Sequence, residues 1–169
     1  ELNESRFKVK FNENIIVLGN WAHAKKGGKI LPILRDRLQN IIFQQLSVGL
    51  DDRGVHCFNQ RKQDIYLKAD IFLQLSNSEG NSYATLDALL CGLPVVASNV
   101  GLFYKDVPED CFVKLDWERN GDIEYVKEKL LYAIEHKEEL GRKGREWYMQ
   151  HCRFEDWKKK IQEIVYKMN

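Results

Sequence analysis

The chain has almost no net charge: 26 Lys and Arg stand against 25 Asp and Glu in 169 residues, a formal +1. Nothing in that balance calls for a nucleic acid or an anionic membrane as partner. Long apolar runs are also missing. None approaches the ~20 residues of a membrane-crossing helix, and no stretch reads as a signal peptide. The chain opens on Glu1 rather than Met, so a fragment or processed form is expected. The four cysteines, Cys57, Cys91, Cys111 and Cys152, are widely spaced and form no C-x-x-C. His23, His56, His136 and His151 are as dispersed, which argues against zinc or any other metal site. Cys57 and Cys91 lie in apolar surroundings and read as small core residues, which suits a reducing compartment, the cytoplasm. Neither G-x-G-x-x-G nor G-x-x-x-x-G-K-[ST] occurs, so dinucleotide and P-loop readings lose support.

What is present is the composition of a soluble globular protein, 44% hydrophobic and 30% charged, at a length suited to one domain over 1–169. IIVLG (15–19) is a short apolar run rich in β-branched residues, as expected of a strand covered on both faces. Further strands are expected at 41–49, 55–58, 70–76, 93–98 and 111–115. Helices are expected over KILPILRDRL, where Pro32 is harmless only in the first turn, over 63–69, and over 82–92, with Ser82 as N-cap and Gly92 as stop. Helical spacing returns at Ile123, Val126, Leu130 and Ile134, and again from Phe154 through Trp157, Ile161, Ile164 and Val165 to Met168. Strand and helix alternate, which predicts an α/β, Rossmann-like, doubly wound parallel sheet of about six strands with C-terminal helices packed over it.

Ligands of such sheets bind outside the carboxyl ends of the strands, at the switch in strand order. Two loops carry suitable chemistry there. In NSEGNS, Gly80 permits a tight turn or a close backbone approach, and Asn81, Ser82 and Tyr83 present amides at a helix N-terminus, which favours phosphate. Glu79 suits hydroxyl groups, as on a sugar, and Asp87, about one turn beyond Tyr83, suits a ribose diol. Equally, Ser82 is a simple cap and both acids are solvated. In NWAHAKKGG, which follows Gly19, Lys25 and Lys26 offer cationic charge to a diphosphate or form a solvated pair at a helix start. His23 is a phosphate donor, an acid/base or neither. Trp21 reads as packing, and Gln60 and Arg61 lie where a nucleobase or phosphate would approach.

With these motifs assembled, the chain resembles the C-terminal domain of a GT-B glycosyltransferase, the large retaining group of family 4. IIVLG followed by KKGGKIL, and LSVGLDD, resemble that family's first two strand–glycine units. The specific block is DIYLKADIFLQLSNSEGNSYATLDALLCGLPVVASNVG: a serine after a strand, then E-G, then a helix ending in a small residue, glycine and proline. GRKGREWYMQHCRFEDW resembles the family's C-terminal stretch.

The resemblance implies that Glu79 holds donor-sugar hydroxyls and that Lys26 neutralises the diphosphate, as the two catalytic residues. Asp87 stands where the family usually has a glutamate binding ribose, Ser82 where it has glycine, and Asn81 where it has an aromatic. The arginine usual before the lysine is absent, leaving Lys25 or His23 in its place. The implied activity is retaining glycosyl transfer from a nucleotide sugar, UDP or GDP before others, with no cofactor or metal. The acceptor is a glycan, a lipid or another group. The acceptor-binding N-terminal half is missing; the isolated domain would transfer little sugar, and peripheral membrane association would reside in that half. A sugar-nucleotide 2-epimerase type and a degenerate donor domain kept as a scaffold are the alternatives. A receiver-type domain is disfavoured because Asp51 and Asp52 fall in a turn.

Overall fold

A computed structural model describes residues 15–46 and 60–167. The expected strand at 55–58, residues 47–49 of the second strand, and Cys57 lie outside the described residues.

Among the described residues, five short strands form one parallel sheet: β1 (Ile15–Gly19), β2 (Ile41–Gln45), β3 (Ile71–Gln74), β4 (Val95–Ser98) and β5 (Val113–Leu115), in the order β2-β1-β3-β4-β5. β1 pairs on one side with β2 (Ile15 opposite Ile41) and on the other with β3 (Val17 opposite Ile71). β4 continues the sheet through Phe72 opposite Val95, and β5 through Val96 opposite Val113. Every residue of β3 and β4 is buried, as parallel strands covered on both faces require.

The period-2 alternation of strand side chains divides the core. Val17, Ile71, Leu73 and Val96 pack on one face with Leu34 of α1 (Leu31–Arg37) and with Val126 and Leu130 of α5 (Ile123–Glu135). Leu18, Phe72, Val95 and Ala97 pack on the other. Their partners there are Tyr66 of α2 (Gln60–Lys68), Ala88 and Leu89 of α3 (Tyr83–Leu90), Phe103 of α4 (Leu102–Lys105) and Trp147 of α6 (Lys137–His151). Pro32 occupies the second helical position of α1, where no amide is missed. Asp122 caps α5 by accepting from the Tyr125 amide at 3.1 Å.

Two expectations need correction. α7 (Phe154–Lys167) forms as its spacing suggests, but Trp157, Ile161 and Ile164 are 58%, 40% and 54% exposed, so that stripe is not spent on the sheet. Cys91 is only half-buried, whereas Cys111 is buried. Among the described residues no helix is long and apolar enough to cross a membrane.

The strand order fixes where a ligand fits. From β1 the chain goes through α1 on one face to β2, and from β3 through α3 on the other face to β4. The loops after β1 and β3 therefore part at the carboxyl ends of two adjacent strands and leave a crevice between them.

Candidate functional site

β1 ends on Gly19, which lies buried against the Trp21 ring, and the loop follows. Trp21 is buried and meets Phe43 edge-on, ring centroids 6.1 Å apart, so it packs rather than stacking on a ligand. The chain then makes a 3₁₀ turn, Ala24–Lys26, in which the Lys26 amide donates to the His23 carbonyl at 2.9 Å. His23 and Lys25 are exposed on this turn, while Lys26 is half-buried. The Asn77 amide donates to the Lys25 carbonyl at 2.9 Å and ties this loop to the one after β3.

That tie brings Lys26 to Glu79. The Lys26 Nζ stands 3.3 Å from Glu79 Oε1, and the same oxygen accepts from Ser76 Oγ at 2.8 Å. Ser76, just past β3, is buried, and the Glu79 side chain is only 13% exposed. One hydroxyl donor and one ammonium charge at the same carboxylate oxygen fix its orientation. Neither of these bonds uses Oε2.

Gly80 behaves differently from the expectation of a tight turn. It is not among the glycines with positive φ, and a side chain there would meet open space. The special backbone belongs to Gly101, after β4, at φ 58° and ψ −130°. A Cβ on Gly101 would run into the carbonyl oxygens of Glu79 and Gly80, and the next amide, Leu102, donates to the Gly80 carbonyl at 3.2 Å. Only glycine allows that approach, so Gly101 sets the position of the Glu79 loop. It lies inside the family-like block as the G of SNVG, yet periodicity and loop chemistry give it no role.

Ser82 stands at the N-cap of α3 but its hydroxyl makes no capping bond. It lies 2.7 Å from Thr85 Oγ1 instead, and Thr85 Oγ1 donates to Gln74 Oε1 at 3.1 Å. Asn81 and Tyr83 are exposed, Tyr83 at 76%. Gly92 follows the helix at φ 72°, the left-handed stop the sequence suggests. Asp87 is half-buried one turn beyond Tyr83, on the same stripe of the helix. Burial first, and the Asp87 charge second, push the Tyr66 phenol far above its ordinary pKa. Tyr66 Oη donates to the Ala84 carbonyl at 2.9 Å, anchoring the first turn of α3.

A pocket of about 10 Å³ lies between the two loops, lined by Asn20, Lys26, Gln74, Ser76, Glu79 and Ser82, with Phe72 and Thr85 behind. Beneath it Ser98 Oγ, at the end of β4, accepts from Asn120 Nδ2 at 2.9 Å and donates to the Gln74 carbonyl at 3.2 Å. The structure thus gathers Lys26, Glu79 and Ser82 around one pocket. Gly19, His23, Lys25, Gly80, Asn81, Tyr83 and Asp87 are not among its lining residues; they surround it along the same loops and helix. Gln60 and Arg61 open α2, and their side chains lie outside the described residues. Gln74, Ser76, Asn20 and Thr85 are site residues that loop chemistry alone does not single out. The available signal for Gln74 is one polar residue inside the apolar run IFLQL.

A second, larger space of about 1100 Å³ lies at the opposite end of the sheet. It is lined by residues preceding β3 and β4, including Asp70 and Pro94, and by α6, including Glu139, Arg142 and Arg145. Charges of both signs face it, and no helix of the doubly wound set starts there after a strand. Among the described residues no three His, Cys, Asp or Glu converge as a metal site.

The arrangement at the carboxyl end can hold an anion beside a hydroxyl-bearing group. Lys26 and the first amides of α3 supply positive charge, and Glu79 supplies a fixed acceptor.

Residues 13–120 match the family described as Glycosyl transferases group 1. No curated protein matches the chain significantly. Among solved structures the chain is similar to sucrose-phosphate synthase from Thermosynechococcus elongatus, at 17% identity and a TM-score of 0.71 over 92% of this chain and 45% of that one. It is similar to HepE from Anabaena in complex with UDP-glucose, at 12% identity and a TM-score of 0.67 over 92% and 49%. It is also similar to the C-terminal domain of the glycosyl transferase group 1 family protein LpcC from Francisella tularensis, at 13% identity and a TM-score of 0.59 over 84% and 88%. At such identities the likeness is one of fold. The chain spans less than half the length of the first two proteins.

Proposed function

This chain belongs to the glycosyl transferases group 1 family and has the fold of a GT-B C-terminal domain; from that premise we propose that it binds the nucleotide-sugar donor for retaining glycosyl transfer. The observation that carries this reading is the fixed pair of Lys26 and Glu79 across the switch-point crevice, 3.3 Å apart, beside the N-terminus of α3. In this reading Glu79 accepts from hydroxyls of the donor sugar. Lys26 and the α3 amides hold the diphosphate and stabilise the charge that gathers on it as the glycosidic bond breaks. Asp87, one turn along α3, accepts from the ribose, at longer range or through a water because aspartate is a methylene shorter than glutamate.

UDP and GDP are the favoured nucleotides, and HepE, whose fold this chain shares, was solved with UDP-glucose. An N-terminal half would supply the acceptor site, because the chain covers less than half of two structures it resembles. The acceptor is then a glycan, a lipid-linked group or another hydroxyl compound, and the 169 residues alone transfer little sugar.

Calorimetric titration with UDP, GDP, ADP and dTDP tests the reading. One nucleotide is expected to bind selectively, and Lys26→Ala to weaken it roughly 10- to 100-fold, the worth of hydrogen bonds to a charged group. A folded chain that binds none of the four, alone or joined to its N-terminal half, contradicts it and leaves the scaffold reading.

A further inference from the structure

Gln74 ends β3 and is 5% exposed, a polar side chain in a strand that is otherwise apolar and buried. Most of its hydrogen-bonding capacity is spent inside the protein. Its carbonyl Oε1 accepts from Thr85 Oγ1 at 3.1 Å, and its backbone carbonyl accepts from Ser98 Oγ at 3.2 Å. Its Nε2 is buried and has no hydrogen-bond partner. A buried amide donor without an acceptor is costly and uncommon in folded proteins, and this one borders the pocket that holds Glu79.

Other polar groups of that pocket find partners within the protein. Ser76 donates to Glu79 Oε1, the Lys26 ammonium pairs with the same oxygen, and the Ser82 hydroxyl lies against Thr85. Two capacities that these contacts do not use belong to residues lining the pocket: the donor Gln74 Nε2 and the acceptor Glu79 Oε2. One small group satisfies both, a hydroxyl, which accepts from the amide and donates to the carboxylate. A phosphate oxygen has no proton for Glu79 and carries the same charge sign; an apolar group satisfies neither. The space, about 10 Å³, admits about one oxygen atom.

We propose that Gln74 is a specificity-determining residue for the donor sugar: its side-chain amide hydrogen-bonds a sugar hydroxyl that enters the pocket beside Glu79. This inference rests on the nucleotide-sugar reading above and adds to it a sugar contact made by a strand residue beneath the loops. A site built around a buried donor discriminates against a ligand that leaves the donor empty. The sugar-bearing donor therefore gains, over the free nucleotide, a contact that depends on Gln74.

The test is calorimetric, on the full 169-residue chain, with four pairs of probes: UDP-glucose, UDP-galactose and UDP-N-acetylglucosamine each against UDP, and GDP-mannose against GDP. The quantity read is the ratio of nucleotide Kd to nucleotide-sugar Kd. The wild type is expected to favour one sugar nucleotide over its nucleotide. Gln74→Met, close in size and without the amide, should reduce that ratio on the order of tenfold, with the nucleotide Kd unchanged. Ser98→Ala removes the support under Gln74 and serves as the structural control: the melting temperature falls and the ratio stays. Should Gln74→Met be too unstable to titrate, Gln74→Asn draws the amide back by one methylene and must lower the ratio in the same way.

An unchanged ratio in these variants, or no sugar preference in the wild type, overturns the Gln74 contact and leaves nucleotide binding standing. A folded wild type that binds none of the probes, alone or joined to its N-terminal half, overturns both readings.

Discussion

At the carboxyl ends of the strands the pocket measures about 10 Å³; at the amino ends the groove measures about 1100 Å³. The smaller space is the better candidate for chemistry. Its walls are fixed by bonds that are themselves buried or half-buried: Ser76 to Glu79, Thr85 to Gln74, Ser98 to Asn120. Its charged pair spans two loops that the strand order brings together. The groove, by contrast, is walled largely by α6, whose charged residues pair along the helix surface, as Arg142 does with Glu146 and Lys143 with Glu139. Exposed pairs of that kind carry little energy and little direction. Polar groups held in one orientation mark a site more reliably than volume does.

That contrast can be broken or sharpened by substitution. The largest effect is expected from Glu79→Ala, which should weaken the bound nucleotide sugar roughly 10- to 100-fold by calorimetry while the free nucleotide binds nearly as before. Equal loss of both ligands would mean that Glu79 acts by positioning Lys26, with which it pairs, and not on the sugar. Next, Gly101→Ala places a side chain against the Glu79 and Gly80 carbonyls at a backbone angle that L-residues avoid. It should cost about 1–3 kcal/mol and lower the melting temperature by roughly 2–12 °C, with sugar-nucleotide binding reduced in the molecules that remain folded. Asp87→Asn should weaken UDP and UDP-glucose by the same factor, roughly three- to tenfold, since the ribose is common to both. Unequal factors would place Asp87 at the sugar.

At the amino end the expected effects are small. Arg145→Ala should change nucleotide affinity by less than about twofold, in keeping with the modest worth of exposed charge. Cys111, which precedes β5, has its thiol pushed up to about 11, by burial first and by the Asp110 charge second. A pKa raised above its unfolded value means a contribution to stability that is complete below pH 9 and is lost as pH rises through 11. Melting curves from pH 8 to 11 should show that loss in the wild type and less of it in Cys111→Ser. Saturating nucleotide should leave alkylation of Cys111 at pH 8 unchanged.

Much of this was legible in the sequence. The apolar runs at 15–19, 70–76 and 93–98 give β1, β3 and β4 because strands buried on both faces need apolar residues at consecutive positions. Lys26 and Glu79 were legible through family-like motifs, and the structure adds the ion pair between them. Ser82 shows the limit of reading caps by residue type: a second hydroxyl three positions on, Thr85, takes the bond that the cap rule assigns to the backbone. Gln74 was hidden because a polar residue in a strand ordinarily signals an exposed position. Gly101 was hidden because its partners, the Glu79 and Gly80 carbonyls, are more than twenty residues away. For α7, periodicity announced an apolar stripe at Trp157, Ile161 and Ile164, but periodicity carries no information on what lies against a stripe.

The most direct test of the central claim is to map nucleotide binding residue by residue, by titrating UDP-glucose, or whichever sugar nucleotide binds, into isotope-labelled protein and following the backbone amides. The account predicts that the responding amides cluster in the loops after β1 and β3 and in the first turn of α3, with Lys26, Glu79, Gly80, Ser82 and Tyr83 among them. Shifts confined to Lys68–Asp70, Gly92–Leu93 and α6 would contradict it and move the site to the amino end of the sheet.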